Sequence, residues 1–326
     1  MVGLQVLDDY DVLLADLDGT VFRGGVAVEG AHEALAGRDI VYITNNASRS
    51  PREVADHLRS LDFHVSDDQV LTSAQAACTL ANDVLDEKGT PVAGRRAYVV
   101  GAPSFRDLAV DAGFEVVDSA DDAPHVVLHG HSPQNGWAQL SEAALGIRAG
   151  AEYVASNLDT TLPSERGFLV GNGSLVAAVV SATGVTPRSA GKPLPEMFRR
   201  AVAESGARRP LAVGDRLDTD IAGGVAAGID TLCVMTGVST HTELLTTEVR
   251  PTYIAANLRD HLTGWSAEVR GDRVVVSSGN TGDPEVMAAE AVAVAAPAVW
   301  GETDLGRSPE VVPADGAAAV AMEAWR

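Results

Sequence analysis

The chain has 326 residues and a formal net charge of −21, with 46% apolar and 21% charged residues. That length suffices for two domains with a buried core, and the balance is that of a globular chain rather than a disordered one. The carboxylate excess excludes a nonspecific nucleic-acid binder and a protein that docks on anionic lipid, since both need clustered Lys and Arg.

The N-terminal stretch has no basic segment followed by an apolar one, so no secretion signal is expected. No apolar run approaches the roughly 20 residues that span a bilayer. A cytoplasmic protein is the resulting expectation. The first predicted strand is Asp11–Asp16, the next Asp39–Thr44, and helices follow over Pro51–Leu61 and Thr72–Leu85. The alternation continues with strand Arg96–Gly101, helix Ser104–Ala112, strand His125–His129, helix Trp137–Ala149 and strand Tyr153–Ser156. Helices over Ser174–Thr183 and Pro195–Ser205 precede strand Pro210–Gly214, helix Ile221–Gly228 and strand Thr231–Met235. Short Val/Ile/Leu runs alternating with helices indicate parallel strands covered on both faces, hence a doubly wound α/β fold. From about Trp265 the texture changes: a strand at Arg273–Ser277, an Ala/Val-rich helix over Asp283–Val299 and a last Ala-rich stretch. Composition leaves open whether this tail is a separate small domain or packs on the main body. Cys78 and Cys233 are too few for a disulfide framework or a four-cysteine zinc site, and both sit among apolar neighbours as packing residues.

Four loops carry candidate chemistry. In Asp16-Leu17-Asp18-Gly19-Thr20 the strand delivers two carboxylates two residues apart, toward one side. Such a pair repels unless a cation sits between, which invites Mg²⁺. Gly19 permits a sharp turn. D-x-D-G also occurs in calcium loops, but the rest of the EF-hand pattern is missing. Thr44-Asn45-Asn46-Ala47-Ser48 offers a hydroxyl, amides and a helix N-terminus as a neutral anion cradle; a plain turn and helix cap would read the same. Lys192, in Gly191-Lys192-Pro193, is either a point charge for a phosphoryl oxygen or a solvated surface lysine. Gly214-Asp215-Arg216-Leu217-Asp218-Thr219-Asp220 adds carboxylates after a strand, or is an acidic turn. Three of the four cap an apolar strand at its C-terminal end, where ligands of open α/β sheets bind. Together they supply a nucleophile, an acid/base group, an anion cradle, a cation and metal ligands.

Asp-Leu-Asp-Gly-Thr, Thr-Asn-Asn-Ala-Ser, Ala-Gly-Lys-Pro and Gly-Asp-Arg-Leu-Asp-Thr-Asp, in this order, resemble the four motifs of the haloacid dehalogenase superfamily of phosphatases, over roughly Asp11 to Leu258. Asp16 and Thr44 are too close for a cap between them, whereas Thr44 and Lys192 leave room for a complete small domain. The resemblance is therefore to the subclass with a large α/β cap, whose closing stretch Ser156–Asp159 and Gly171–Val176 also resemble. It implies a Rossmann-like core over 1–80 and 184–264, a cap over 81–183 and an extension over 265–326. It further implies Asp16 as nucleophile, Asp18 as acid and base, Thr44, Asn45 and Lys192 on the phosphoryl oxygens, and Asp220 orienting metal-bound water or Lys192. Mg²⁺ would be held by Asp16, the Asp18 carbonyl and Asp215.

The implied activity is Mg²⁺-dependent hydrolysis of a small phosphorylated metabolite through an aspartyl-phosphate. Glycerol 3-phosphate is the first expected substrate; phosphoglycolate, nitrophenyl phosphate or a nucleoside monophosphate are the alternatives. A phosphotransferase or mutase is a competing enzyme class, and a catalytically inactive binding module a third. The partner expected beyond substrate is a second copy, in a homodimer of the kind relatives form through the cap, with no nucleic acid and no membrane. Two departures stand out. His129-Gly130-His131-Ser132-Pro133 replaces a Gly-x-Asp turn, and Gln134 stands where pyridoxal-phosphate phosphatases place a substrate-contacting histidine. The tail's strand-helix order resembles part of an acetyltransferase, but the pyrophosphate-binding turn is absent, so acetyl transfer is not expected.

Overall fold

A computed structural model describes residues 2–3, 5–164 and 166–325. The chain packs as two compact units, one made of Met1–Tyr42 with Ala201–Arg326 and the other of Ile43–Arg200.

The first unit is built on parallel strands in the order Tyr253–Ala255, Asp230–Val234, Pro210–Gly214, Val12–Ala15 and Ile40–Thr44. Val12, Leu13, Leu14 and Ala15 are all buried, as a central strand covered on both faces requires. The register sets Ala15 opposite Val213 on one side and Tyr42 on the other. The Asp16 amide extends the ladder by one bond, donating to the Val213 carbonyl at 2.8 Å.

The tail belongs to this unit. Strands Ser266–Arg270, Arg273–Ser277 and Glu310–Pro313 form a three-stranded sheet, the first pair antiparallel and the second parallel. Helices Pro284–Asp304 and Gly316–Glu323 accompany it. The longer helix runs past Pro297, beyond the predicted end at Val299. An interior proline costs about 3 kcal/mol. Burial of Ala295, Ala296, Val299 and Trp300 on either side of it offsets that cost. This helix places Val292, Ala296 and Trp300 in one apolar cluster with Leu217, Ile221, Cys233 and Leu244. The tail is thus packed on the strand-end loops of the sheet it follows.

The second unit contains the last two residues of strand Ile40–Thr44, with Val70–Thr72 next in that sheet's order. Helix Pro51–Ser60 starts at a capping box between Ser50 and Glu53, and helix Ser73–Glu87 at one between Thr72 and Gln75. A second, wholly parallel sheet follows, in the order Arg188–Ser189, Glu152–Ala155, Val126–His129, Arg96–Val100, Glu115–Val117. Its core holds Tyr98, Val100, Val127, Tyr153 and Ala155 against Ala143, Ile147, Val176 and Val179 of two helices. The doubly wound α/β architecture read from the alternation is what the chain adopts. Both cysteines are free and buried, and burial pushes the Cys78 thiol up to about 12. No helix among the described residues is long and apolar enough to cross a membrane.

Candidate active site

The first unit gathers carboxylates where its strands end. Strand Val12–Ala15 stops one residue before Asp16, so Asp16 and Asp18 leave the strand end instead of sharing a strand face. Asp16 is half-buried; Asp18 is exposed and bridges Phe22 through its backbone. Between them and Asp215 the approach is close. Gly19 has φ +92°, and a Cβ there would stand 2.6 Å from Asp215 Oδ2. Only glycine combines that backbone with that proximity.

Asp215 and Asp220 come from the segment after strand Pro210–Gly214. This segment is a π-helical turn, Leu217–Ile221, leading into helix Ala222–Ala227, where sequence predicts only the helix. The wide turn brings Asp220 back over the strand end: a Cβ at Gly214 would lie 2.2 Å from that of Asp220, whose Oδ2 accepts the Arg216 amide at 3.1 Å. Asp218 points elsewhere. It pairs with the Arg216 guanidinium, which holds its carboxyl below the usual range. One carboxylate oxygen each from Asp16, Asp215 and Asp220 lie within 4.8 Å of one another, with Asp215 and Asp220 buried. Three hard oxygen donors this close suit a divalent cation such as Mg²⁺, which takes few carboxylates and completes its shell with water or phosphate oxygen. Asp220, expected to orient metal-bound water or Lys192, has a carboxylate oxygen within that same 4.8 Å span of those of Asp16 and Asp215.

Residues that sequence reasoning passed over hold this cluster. The Val238 amide donates to Asp215 Oδ2 at 2.7 Å, the Ser239 amide to the Asp215 carbonyl at 3.1 Å and the Thr236 hydroxyl to the Gly19 carbonyl at 2.6 Å. The available signal was their place just after the strand that ends at Val234.

In the second unit, Thr44, Asn45 and Lys192 come together. The Asn45 side-chain amide reads the Lys192 backbone in both directions: Oδ1 accepts the Lys192 amide at 2.9 Å and Nδ2 donates to its carbonyl at 3.1 Å. Lys192 is buried, and its ammonium donates to the Ile43 carbonyl at 3.2 Å. It is therefore not the solvated lysine of the alternative reading. The Asn45 carbonyl accepts from Ser73 Oγ at 2.7 Å and Asn157 Nδ2 at 2.8 Å, and Asn45 Nδ2 also donates to the Asp159 carboxylate at 3.1 Å. Ser156–Asp159, noted in the sequence only as a closing stretch, thus fixes the Asn45 loop. Thr44 Oγ1 accepts the Asn46 amide at 3.1 Å, a hydroxyl-closed turn at the strand end.

These motifs sit on a recognisable frame. Residues 13–115 match the family model of haloacid dehalogenase-like hydrolases, and residues 189–261 match a second model of the same kind. The chain belongs to the haloacid dehalogenase-like hydrolases. A D-glycerol 3-phosphate phosphatase of Mycobacterium tuberculosis is 41% identical over 98% of this chain and 95% of its own length. The crystal structure of a glycerol phosphate phosphatase from that organism in complex with magnesium matches with a TM-score of 0.84 at 40% identity, covering 98% of both chains. An acid sugar phosphatase of Staphylococcus aureus is 33% identical over 78% of this chain and 97% of its own.

Proposed function

We propose that this protein is an Mg²⁺-dependent phosphomonoesterase whose substrate is glycerol 3-phosphate. The convergence of Asp16, Asp215 and Asp220 carries the reading. The substrate rests on the likeness to the M. tuberculosis enzyme over nearly the full length of both chains.

Asp16, Asp215 and Asp220, with the Asp18 carbonyl, would hold the ion, which would neutralise the charge that otherwise keeps an anionic nucleophile from an anionic ester. An Asp16 carboxylate oxygen attacks phosphorus, and the alkoxide departs as an aspartyl-phosphate forms. Asp18, exposed and two residues on, gives its proton to that alkoxide. It then takes one from the water that splits the acyl phosphate and returns Asp16. Thr44, Asn45 and Lys192 hold the three equatorial oxygens, on which charge is spread in the transition state. Lys192 suits this role because its burial keeps water from screening the ammonium.

In this reading 1–80 and 184–264 form the catalytic core, 81–183 the cap that closes over substrate, and 265–326 the extension. Four of the five strands of the second sheet fall inside the cap range and support that division, with Arg188–Ser189 just beyond its end. The enzyme works in the cytoplasm on a small metabolite as a homodimer; its two reduced, buried cysteines agree with that compartment.

Phosphate release by the full chain, from a panel of glycerol 3-phosphate, phosphoglycolate, 4-nitrophenyl phosphate and a nucleoside monophosphate, tests the reading. Glycerol 3-phosphate should have the highest kcat/KM, with turnover lost in EDTA and restored by Mg²⁺. Asp16→Asn should lower kcat by roughly a thousandfold or more without altering the circular dichroism spectrum. Undiminished turnover by Asp16→Asn rules out the intermediate, and a better substrate in the panel reassigns specificity.

A further inference from the structure

The carboxylate cluster is held by a connection near the end of the second family match, and that connection is backed by the extension, which both matches leave out, since the second ends at residue 261. Residues 236–239 connect strand Asp230–Val234 to helix His241–Thr246. They bind two of the proposed metal loops through the three bonds to Gly19 and Asp215, and Ser239 Oγ accepts the Leu217 amide at 2.9 Å. A Cβ on Gly237 would fall 1.8 Å from Asp215 Oδ2, so the backbone itself presses on that carboxylate. The connection has no regular structure of its own. The helix after it has six residues, too few to persist by itself despite its Thr240–Glu243 capping box.

The extension supplies the missing support. The Trp325 ring stacks on His241, centroids 6.4 Å apart and planes 15° from parallel. The Thr242 hydroxyl donates to the Trp325 carbonyl at 2.8 Å, and the Trp325 indole donates to the Ala288 carbonyl at 3.1 Å, tying the helix to the long helix Pro284–Asp304. From that long helix the Trp300 indole donates to the Leu244 carbonyl at 2.9 Å. Arg250 forks onto Asp304 with two bonds of 2.7 Å, its guanidinium 5.7 Å over the Trp300 ring. The turn that carries Asp220 leans on the same helix, with Leu217 and Ile221 packed in the cluster of Val292, Ala296 and Trp300.

We propose that the extension is the buttress of the metal site, with Trp325 and Trp300 as positioning residues that set Asp215 and Asp220 at the separation a divalent cation requires. Three carboxylates this close repel one another before the cation arrives, so the loops need a rigid backing to stay preorganised. The extension provides it through helix His241–Thr246 and the Leu217–Ile221 turn. This rests on the reading of Asp16, Asp215 and Asp220 as the Mg²⁺ ligands, and it makes the tail part of the hydrolase rather than a separate activity.

The test is isothermal titration of Mg²⁺ into metal-stripped full-length protein, without substrate. Trp325→Ala should bind Mg²⁺ about tenfold more weakly, as loss of a metal site's outer support generally does. Its phosphate release should need correspondingly more Mg²⁺, with KM for substrate near wild type at saturating metal. Trp325→Phe, which keeps a ring against His241, should recover most of the affinity. Thr242→Val removes one hydrogen bond and keeps the side-chain shape, and Trp300→Phe removes another together with part of the buried ring; both should weaken Mg²⁺ two- to threefold, and they decide the matter if Trp325→Ala does not fold. Folded variants that all bind Mg²⁺ like wild type overturn the buttress and leave the phosphatase reading standing. A wild-type protein that binds no Mg²⁺ overturns that reading and the buttress with it.

Discussion

Gly19 shows how much a single position decides. Its φ of +92° lies in the left-handed region, and the Asp215 carboxylate occupies the space a side chain would take. Gly19→Ala should therefore displace the carboxylate cluster and lower phosphate release by about a hundredfold, the scale on which a 1 Å misplacement acts. Gly24→Ala is the matched control: it also has positive φ, at +62°, but opens onto empty space and should keep near-normal turnover. Equal activity of the two variants would mean that the approach of Gly19 to Asp215 is irrelevant to the chemistry. At this scale the sequence was legible where chemistry forces a residue type. Asp16, Asp18, Asp215, Thr44, Asn45 and Lys192 are the candidates that short motifs offered, all but Lys192 from loops after apolar strands. The residues that hold them were not among those candidates. Thr236, Val238 and Ser239 act through backbone amides and ordinary hydroxyls, and a backbone amide has no residue type to read.

Among the elements, the strand Val126–His129 makes a measurable claim on stability. His129 is fully buried, its Nδ1 2.8 Å from the Tyr153 hydroxyl, and burial lowers its pKa from 6.5 to about 4. The unfolded chain then binds the extra proton between pH 6.5 and 4, so folded stability falls as pH drops through that window and loses nothing more from this group below it. The loss is about 3 kcal/mol over the whole window, from the value of one pKa unit. Urea unfolding of the wild type and His129→Gln at pH 7 and 4.5 should show a clearly smaller decline for the variant; parallel declines would acquit the histidine. Element prediction succeeded for the longer buried parallel strands, whose continuous apolar runs have one interpretation, and passed over the three-residue strands Val70–Thr72, Glu115–Val117 and Tyr253–Ala255. It missed the antiparallel pair Thr161–Ser164 and Gly167–Val170, a hairpin with exposed Phe168 and Val170 and no burial pattern to betray it. It also missed the helix His241–Thr246, which is too short for periodicity to register.

For the molecule as a whole, the net charge of −21 opposes the arrival of a phosphorylated substrate, while in the proposed reading buried Lys192 and the cation would favour it at short range. Salt screens the first and hardly touches the second, because the Debye length falls to about 8 Å at physiological ionic strength. The value of kcat/KM should accordingly rise about two- to threefold between roughly 10 and 150 mM NaCl at constant Mg²⁺. A decline over that range would show that a positive local field already steers the substrate. Chain length announced more than one unit, and charge argued against a nucleic-acid partner. Nothing in them announced that the Ala-rich tail lies against the strand-end loops, because small apolar residues pack on any complementary face.

What the amino-acid order settled unaided was the doubly wound α/β class, and it also supplied the residues proposed as the reacting groups. Strand hydrophobicity and the carboxylate, amide and ammonium chemistry of phosphate transfer are local properties, carried by residues a few positions apart. Tertiary structure alone decided that Asp220 joins Asp16 and Asp215, that Asn45 grips the Lys192 backbone and that Trp300 and Trp325 reach the helix behind Asp215. Each of these joins segments distant along the chain, and such contacts exist only once packing has chosen which surfaces meet.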